Sequence, residues 1–132
     1  SRNSASFWQE MRDVAAFVEP DAILWRISVP PAEGAKVAAG FSIDISGCSY
    51  FFDWGGGLIW LALPATTGAN AKKIRAALKP CGGHATLVRA PDPERLKNPV
   101  FEIEGSLDLM RRVKQAFDPD AVFNPGRMVE GL

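Results

Sequence analysis

The sequence predicts one α+β domain, a ferredoxin-like β-α-β-β-α-β antiparallel sheet with one extra helix at each end. Three observations lead to this prediction. The chain has 132 residues, the usual length of a single domain. Hydrophobic residues make up 47% and charged residues 23% of it, which suits a packed core and excludes a disordered chain. Segments typical of strands and helices follow one another in the β-α-β-β-α-β order between residues 22 and 90.

The chain begins with a helix pattern that is followed by a strand pattern. Apolar residues three or four positions apart predict a helix that Ser4 or Ser6 caps and that runs to about Val18, before Pro20 ends it. In residues 22–29 the side-chain pattern alternates as in a strand, and the segment is rich in Ile, Leu, Val and Trp. Both features predict the first strand of the sheet.

The next segment is predicted as a short helix that is followed by β structure. Pro31 favours the start of a helix over residues 31–39, and Gly40 is expected to end it. The β-favouring side chains of residues 41–45 and 50–52 then predict one bent strand or two short ones.

A hairpin, a helix and a strand complete the predicted sheet. Gly55–Gly57 can adopt the positive φ angles of a tight turn, so residues 58–63 are expected to return as a buried strand. A helix is predicted from Thr66 or Thr67 to Leu78, and residues 84–89 form the last predicted strand. Such a sheet carries its two crossover helices on one face.

The carboxy-terminal third is predicted to contain a loop and one helix. Pro91 and Pro93 predict a loop that continues through Lys97. Residues 106–117 have a helical pattern that places Met110, Val113 and Phe117 on one apolar stripe.

The charge balance argues against general nucleic-acid binding. Fifteen Lys and Arg residues against fifteen Asp and Glu residues leave no net charge. Residues 1–66 hold four basic and seven acidic groups and residues 67–132 hold eleven and eight, so the halves carry −3 and +3. The basic excess is typical of solvated helix faces, or alternatively of a contact surface for an acidic partner subunit. Most of the basic excess of the second half comes from two groups of residues, Lys72, Lys73, Arg75 and Lys79, and Arg111, Arg112 and Lys114.

Composition and motif spacing argue against several kinds of chemistry. Cys48, Cys81 and His84 cannot supply four zinc ligands, and two thiols form no secreted disulfide framework, which indicates a reducing, cytoplasmic compartment. His84 is expected to be a hydrogen-bonded strand end rather than a general base. Gly55–Gly57 lies between two strands, so it is not a phosphate-binding loop. The cluster Tyr50–Trp54 matches no RNA-binding motif and is expected to pack in the sheet.

The most specific segment is the tail after the last helix, which reads Phe117-Asp-Pro-Asp-Ala-Val-Phe-Asn-Pro-Gly-Arg127. Pro125-Gly126 suits the centre of a type II turn, and proline favours extended backbone at Asn124. Such a turn would fix the directions of the Asn124 amide and the Arg127 guanidinium. The alternative is a rigid chain end in which Phe123 and Met128 pack on the domain.

The stretch from Leu109 to Met128 resembles the carboxy-terminal signature of FAD-linked oxidases of the vanillyl-alcohol oxidase type. With Leu-Trp-Arg-Ile-Ser-Val-Pro at 24–30, Asp-Trp-Gly-Gly-Gly at 53–57 and Gly-Gly-His-Ala-Thr-Leu-Val-Arg-Ala-Pro at 82–91, the chain resembles the E-subunit family of bacterial glycolate oxidases. The resemblance implies a cap domain, residues 1–132, cut from a longer protein whose FAD-binding domain is absent here. It also implies that Asn124, Pro125, Gly126 and Arg127 lie near the flavin in that protein.

The same resemblance implies the partners and the activity. Catalytic members, including the D subunit, carry a histidine-rich metal site, and His84 alone cannot form one. Substrate oxidation is therefore expected of a D-like flavin subunit, with this subunit supporting electron transfer beside an iron–sulfur subunit. The isolated chain is expected to be inactive and without FAD, and the complex cytoplasmic or peripheral at the inner membrane. The alternative function is a stand-alone ferredoxin-like module that binds a ligand or a protein.

Overall fold

The computed structural model describes residues 3–101, 105–126 and 129. A four-stranded antiparallel sheet lies at the centre, with the strand order β2-β3-β1-β4. This confirms the α+β class and the predicted hairpin. The strands are β1 Ile23–Ser28, β2 Ser49–Asp53, β3 Leu58–Leu63 and β4 His84–Arg89. The helices are α1 Ser4–Arg12, α2 Gly34–Asp44, α3 Ala71–Leu78, α4 Asp92–Lys97 and α5 Leu107–Phe117.

The core lies between one face of the sheet and the helices α2 and α3. Alternate strand residues point to this face, because side chains alternate along a strand, and Trp25 pairs with Leu61 on β3 and with Leu87 on β4. The Trp25 indole N–H donates to the Ala69 carbonyl at 3.0 Å, which satisfies its buried polar group. The helices contribute side chains to the same cluster, namely Ala38, Phe41, Ala71, Ile74 and Leu78.

The turn between β2 and β3 packs closely against the start of α2. Gly55 and Gly56 have φ angles of +62° and +95°, as the hairpin prediction requires. A Cβ on Gly34 would lie 2.2 Å from the Gly56 carbonyl oxygen, closer than van der Waals contact allows. Glycine at position 34 therefore lets the two backbones meet.

The strand predicted over residues 41–45 is wrong, because α2 continues through Gly40 to Asp44. Ala38, Phe41 and Ile45 recur at helical spacing and are all buried in the core, so tertiary packing overrides their β preference. Nothing lies within 4 Å of a Cβ built at Gly40, and an interior glycine costs a helix only about 1 kcal/mol.

Three other boundaries differ from the prediction. α1 is capped by the Asn3 side chain and ends at Arg12, well before Val18. The predicted helix from Thr66 or Thr67 starts only at Ala71, since Gly68 has a φ of +68°. The predicted loop at 91–97 contains α4, whose first turn is acidic and whose last turn is basic, as the helix dipole favours.

Arg75 is buried and Lys114 is half-buried, although the sequence favours solvated helix faces for both. Arg75 is 8% exposed, its Nη2 donates to the Pro99 carbonyl at 2.6 Å, and its guanidinium lies 5.5 Å from the Trp25 ring centroid. Lys114 is also held against neighbouring groups at the end of α5. The basic surface is therefore smaller than the sequence suggests.

The second face of the sheet is only partly covered. Phe17, from the turn after α1, stacks on Phe51 with ring centroids 5.3 Å apart, and Phe51 in turn lies 6.4 Å from Trp60. Phe51 is half-buried there. Tyr50 and Phe52 point to the opposite, helix-covered side of β2, because they pair with the core residues Leu61 and Ile59, yet both are exposed at this edge of the sheet. Trp54 is also exposed, so the expected packing of the aromatic cluster is wrong for these three. Within the described ranges, no helix is both long and apolar enough to cross a bilayer.

Candidate functional site

The candidate site is the tail that follows α5. The predicted helix 106–117 is confirmed as α5, with Ser106 at its N-cap position instead of inside it, and each of the eleven residues of the helix remains at least partly exposed. Val113 is 49% exposed and Phe117 86% exposed, so the predicted apolar stripe points away from the core. A helix with such a face is typical of one that packs on another surface.

Lys114 and Asp118, called the tail clamp below, hold the chain after α5. The Asp118 carboxylate accepts hydrogen bonds from the Lys114 ammonium, from the Val122 amide at 2.9 Å and from the Phe123 amide at 3.0 Å. The Lys114 ammonium also donates to the Phe123 carbonyl at 2.7 Å. The tail clamp thus connects the last turn of the helix to residues 122 and 123.

The carboxylate of the tail clamp is stabilised in its charged form. The hydrogen bond from Lys114 lowers the pKa of Asp118 below its ordinary value, and the Phe123 and Val122 amides act in the same direction, against the opposing effect of burial. Asp118 is 9% exposed, and a buried carboxylate needs such partners. The Asp118 carboxylate is therefore charged at neutral pH.

Three residues of the tail after Asp118 have positive φ angles. Ala121 and Asn124 have φ angles of +50° and +47°, and Gly126 has +68°. The prediction of extended backbone at Asn124 is wrong, since Asn124 is left-handed, a conformation that asparagine tolerates better than most residues. For Ala121 this conformation costs roughly 1–2 kcal/mol. The contacts of the tail clamp offset that cost.

The predicted site residues are brought together only in part. Asn124, Pro125 and Gly126 lie side by side in an exposed turn. Arg127 lies outside the described residues, as does Met128. Phe123 is 70% exposed, which contradicts the alternative in which it packs on the domain.

The other candidate residues do not converge. His84 is exposed at the start of β4. The thiols of Cys48 and Cys81 are half-buried and donate to the carbonyls of Phe41 and Leu78. In the part of the chain that the structure describes, no three His, Cys, Asp or Glu residues are grouped so as to hold a metal ion.

Sequence reasoning missed the tail clamp. The sequence predicts Lys114 on a solvated helix face or a basic contact surface, and it predicts Asp118-Pro119 only as the end of the helix. The available signal was their i, i+4 spacing at the end of a helix, which brings the two side chains together. Spacing alone does not show the hydrogen bonds to Val122 and Phe123.

Comparisons with known proteins point to the same segment. Residues 98–128 match the family model of FAD linked oxidases, C-terminal domain. The chain is 34% identical over 132 residues to glycolate oxidase subunit GlcE of Escherichia coli (strain K12). This similarity covers 98% of the chain but 33% of the relative, so the chain spans about a third of the length of the curated relative it matches.

No solved structure matches the chain. The segment 98–128 includes α5, both residues of the tail clamp and the Asn124–Gly126 turn, so the local geometry and the family match fall on the same residues. The predicted resemblance is therefore confirmed: the chain is similar over 98% of its length to a glycolate oxidase subunit, and residues 98–128 match the carboxy-terminal domain of FAD-linked oxidases.

Proposed function

We propose that this chain is the cap domain of an FAD-dependent glycolate (2-hydroxy-acid) oxidase subunit and that its tail contributes to the flavin site. The observation that carries the proposal is the Asn124–Gly126 turn, which is exposed, held by the tail clamp and inside the matched segment. Similarity to a glycolate oxidase subunit along nearly the whole chain supports the substrate class.

The residues of the turn fit the edge of a flavin. FAD, when bound, supplies the acceptance and transfer of electrons. The Asn124 amide can donate and accept hydrogen bonds, which suits a ring edge that carries both N–H and carbonyl groups. The guanidinium of Arg127 suits a carboxylate or a phosphate. We assign these two side chains to binding and orientation, together with the Pro125-Gly126 backbone.

The FAD-binding domain is assigned to the remainder of the full-length protein, since the relative is about three times as long as this chain. The apolar face of α5 supports docking against such a domain. Leu109 is 59% exposed and Phe117 86% exposed, and Val122 continues the surface into the tail at 70%. Burying an apolar side chain of this size contributes about 1.5–3 kcal/mol.

The proposed complex contains a D-like flavin subunit that oxidises the substrate and an iron–sulfur subunit that receives electrons. The single histidine of this chain, exposed on β4, supports the assignment of substrate oxidation to another subunit. In this scheme the present subunit supports electron transfer through its own flavin. The complex is placed in the cytoplasm or peripherally at the inner membrane.

The test is purification of the full-length gene product together with its neighbouring subunits. We expect bound FAD and glycolate-dependent reduction of an artificial electron-accepting dye. A purified complex that retains no flavin, or that reduces the dye equally without glycolate, contradicts the proposal.

A further inference from the structure

We infer that Lys114 and Asp118 are positioning residues for the flavin site: by fixing the backbone on both sides of Phe123, they set the direction in which Asn124 presents its amide. The inference deepens the proposed function and rests on it, because it requires the tail to lie at the flavin. Neither side chain is itself assigned a contact with the cofactor.

The contacts of the tail clamp fix two successive peptide units. Asp118 Oδ2 accepts the N–H of Phe123 at 3.0 Å, which holds the peptide unit between residues 122 and 123. Lys114 Nζ donates to the Phe123 carbonyl at 2.7 Å, which holds the unit that also contains the Asn124 nitrogen. With both units held from α5, the Cα atom of Asn124 has a fixed position relative to an eleven-residue helix.

The contacts of the tail clamp bury little apolar surface of the domain. Val122 and Phe123 are each 70% exposed although their amides are held, so their ordering does not serve the core of this domain. Ala121 and Asn124 are nevertheless kept in left-handed conformations. Backbone that is held in a rarely populated conformation is concentrated at functional sites, where the surrounding contacts determine it.

A second ion pair on α5 provides a matched control. Arg111 Nη1 lies 3.2 Å from Asp108 Oδ1, but these side chains are 50% and 95% exposed. The side chains of Lys114 and Asp118 are 25% and 8% exposed. Exposed pairs contribute little, so loss of the Arg111 pair removes one charge from the same helix without releasing the tail.

The experiment uses the full-length protein with its partner subunits and compares Asp118→Asn, Lys114→Met and the control Arg111→Met. Misplacement of a positioned group by about 1 Å can cost roughly 100-fold in rate, so we expect glycolate-dependent dye reduction to fall by about 10- to 100-fold in the two tail-clamp variants. We also expect their flavin absorption spectrum to change at saturating FAD. The Arg111→Met variant should stay within about twofold of the parent, because it leaves the tail in place.

A double-mutant cycle separates positioning from general stability. If the tail clamp acts through Asn124, Asp118→Asn should change the rate by less than about twofold when it is added to Asn124→Ala. If the rate reductions caused by Asp118→Asn and Asn124→Ala instead multiply in the double variant, the inference is contradicted. Far-UV circular dichroism and melting check the fold of each variant. Lys114→Met leaves Asp118 able to accept its hydrogen bonds from the Val122 and Phe123 amides. This variant therefore decides the test if Asp118→Asn does not fold.

The outcomes for the two proposals are distinguishable. A parent complex that retains no flavin, or that shows no glycolate-dependent dye reduction, contradicts the proposed function. An active parent whose tail-clamp variants keep the parental rate and flavin spectrum contradicts only the positioning role.

Discussion

Replacement of Gly34 by alanine should destabilise the domain, whereas the same replacement at Gly40 in the same helix should not. A Cβ at position 34 would lie 2.2 Å from the Gly56 carbonyl oxygen and 3.3 Å from its carbon, both of them backbone atoms. Because Gly56 belongs to a turn at φ +95°, the turn can move away only by changing this left-handed geometry. A Cβ at Gly40 meets nothing within 4 Å.

The size of the difference follows from two opposing effects. Overpacking costs typically 1–3 kcal/mol, while alanine in place of an interior helical glycine gains about 0.5–1 kcal/mol. Gly34 is the first residue of α2, so only the overpacking cost applies there, whereas Gly40 lies in the helix interior. We therefore expect Gly34→Ala to lose about 1–3 kcal/mol and Gly40→Ala to gain about 0.5–1 kcal/mol. With an unfolding entropy of about 2.1 cal/mol/K per residue, 1 kcal/mol shifts the Tm of 132 residues by about 4 °C.

The assay is thermal melting of the two variants beside the parent chain at neutral pH. Gly34→Ala should melt about 4–11 °C below the parent and Gly40→Ala about 2–4 °C above it. A Gly34→Ala variant that melts at or above the parent would show that the close approach of α2 to the hairpin does not constrain the fold.

The remaining predictions concern the tail and the cofactor. Because the described residues include no phosphate-binding loop, the isolated chain should be colourless; stoichiometric FAD binding in calorimetry would refute this. Asp118→Asn should lower the Tm at neutral pH, and the difference should vanish as pH falls through the lowered pKa of Asp118, because the parent then loses the charged carboxylate too. A difference that stays the same from neutral pH through the whole acid range would argue against a charge effect. Arg127→Ala should reduce flavin retention in the complex and leave the melting of the chain unchanged; a large loss of stability would indicate a structural role.

The sheet was predictable because its signals are local. Residues 23–28 and 58–63 are rich in β-favouring apolar side chains, and Gly55–Gly57 provides the turn between the two hairpin strands. The second half of α2 was not predictable in this way. Phe41, Ile43 and Ile45 favour strands locally, and only the packing of Phe41 and Ile45 in the core makes the segment helical.

The candidate site was predictable as a segment but not as a geometry. The Asn124-Pro125-Gly126 motif is distinctive in its residue types, and the structure shows it as an exposed turn. The direction of the turn depends on side-chain to backbone hydrogen bonds from Lys114 and Asp118, and such bonds leave only a weak spacing signal. The same limit applies to Arg75, whose burial depends on the distant residues Trp25 and Pro99.

The most direct test of the tail as part of a flavin site is the Asn124→Ala variant of the full-length protein, purified with its neighbouring subunits. Its flavin content, its flavin absorption spectrum at saturating FAD and its glycolate-dependent dye reduction are compared with those of the parent. We predict less retained flavin or a changed spectrum, together with slower dye reduction, while the isolated chain melts within about 1 °C of its parent because Asn124 is exposed. Parental flavin content, spectrum and rate in the variant would contradict a role of this tail at the flavin.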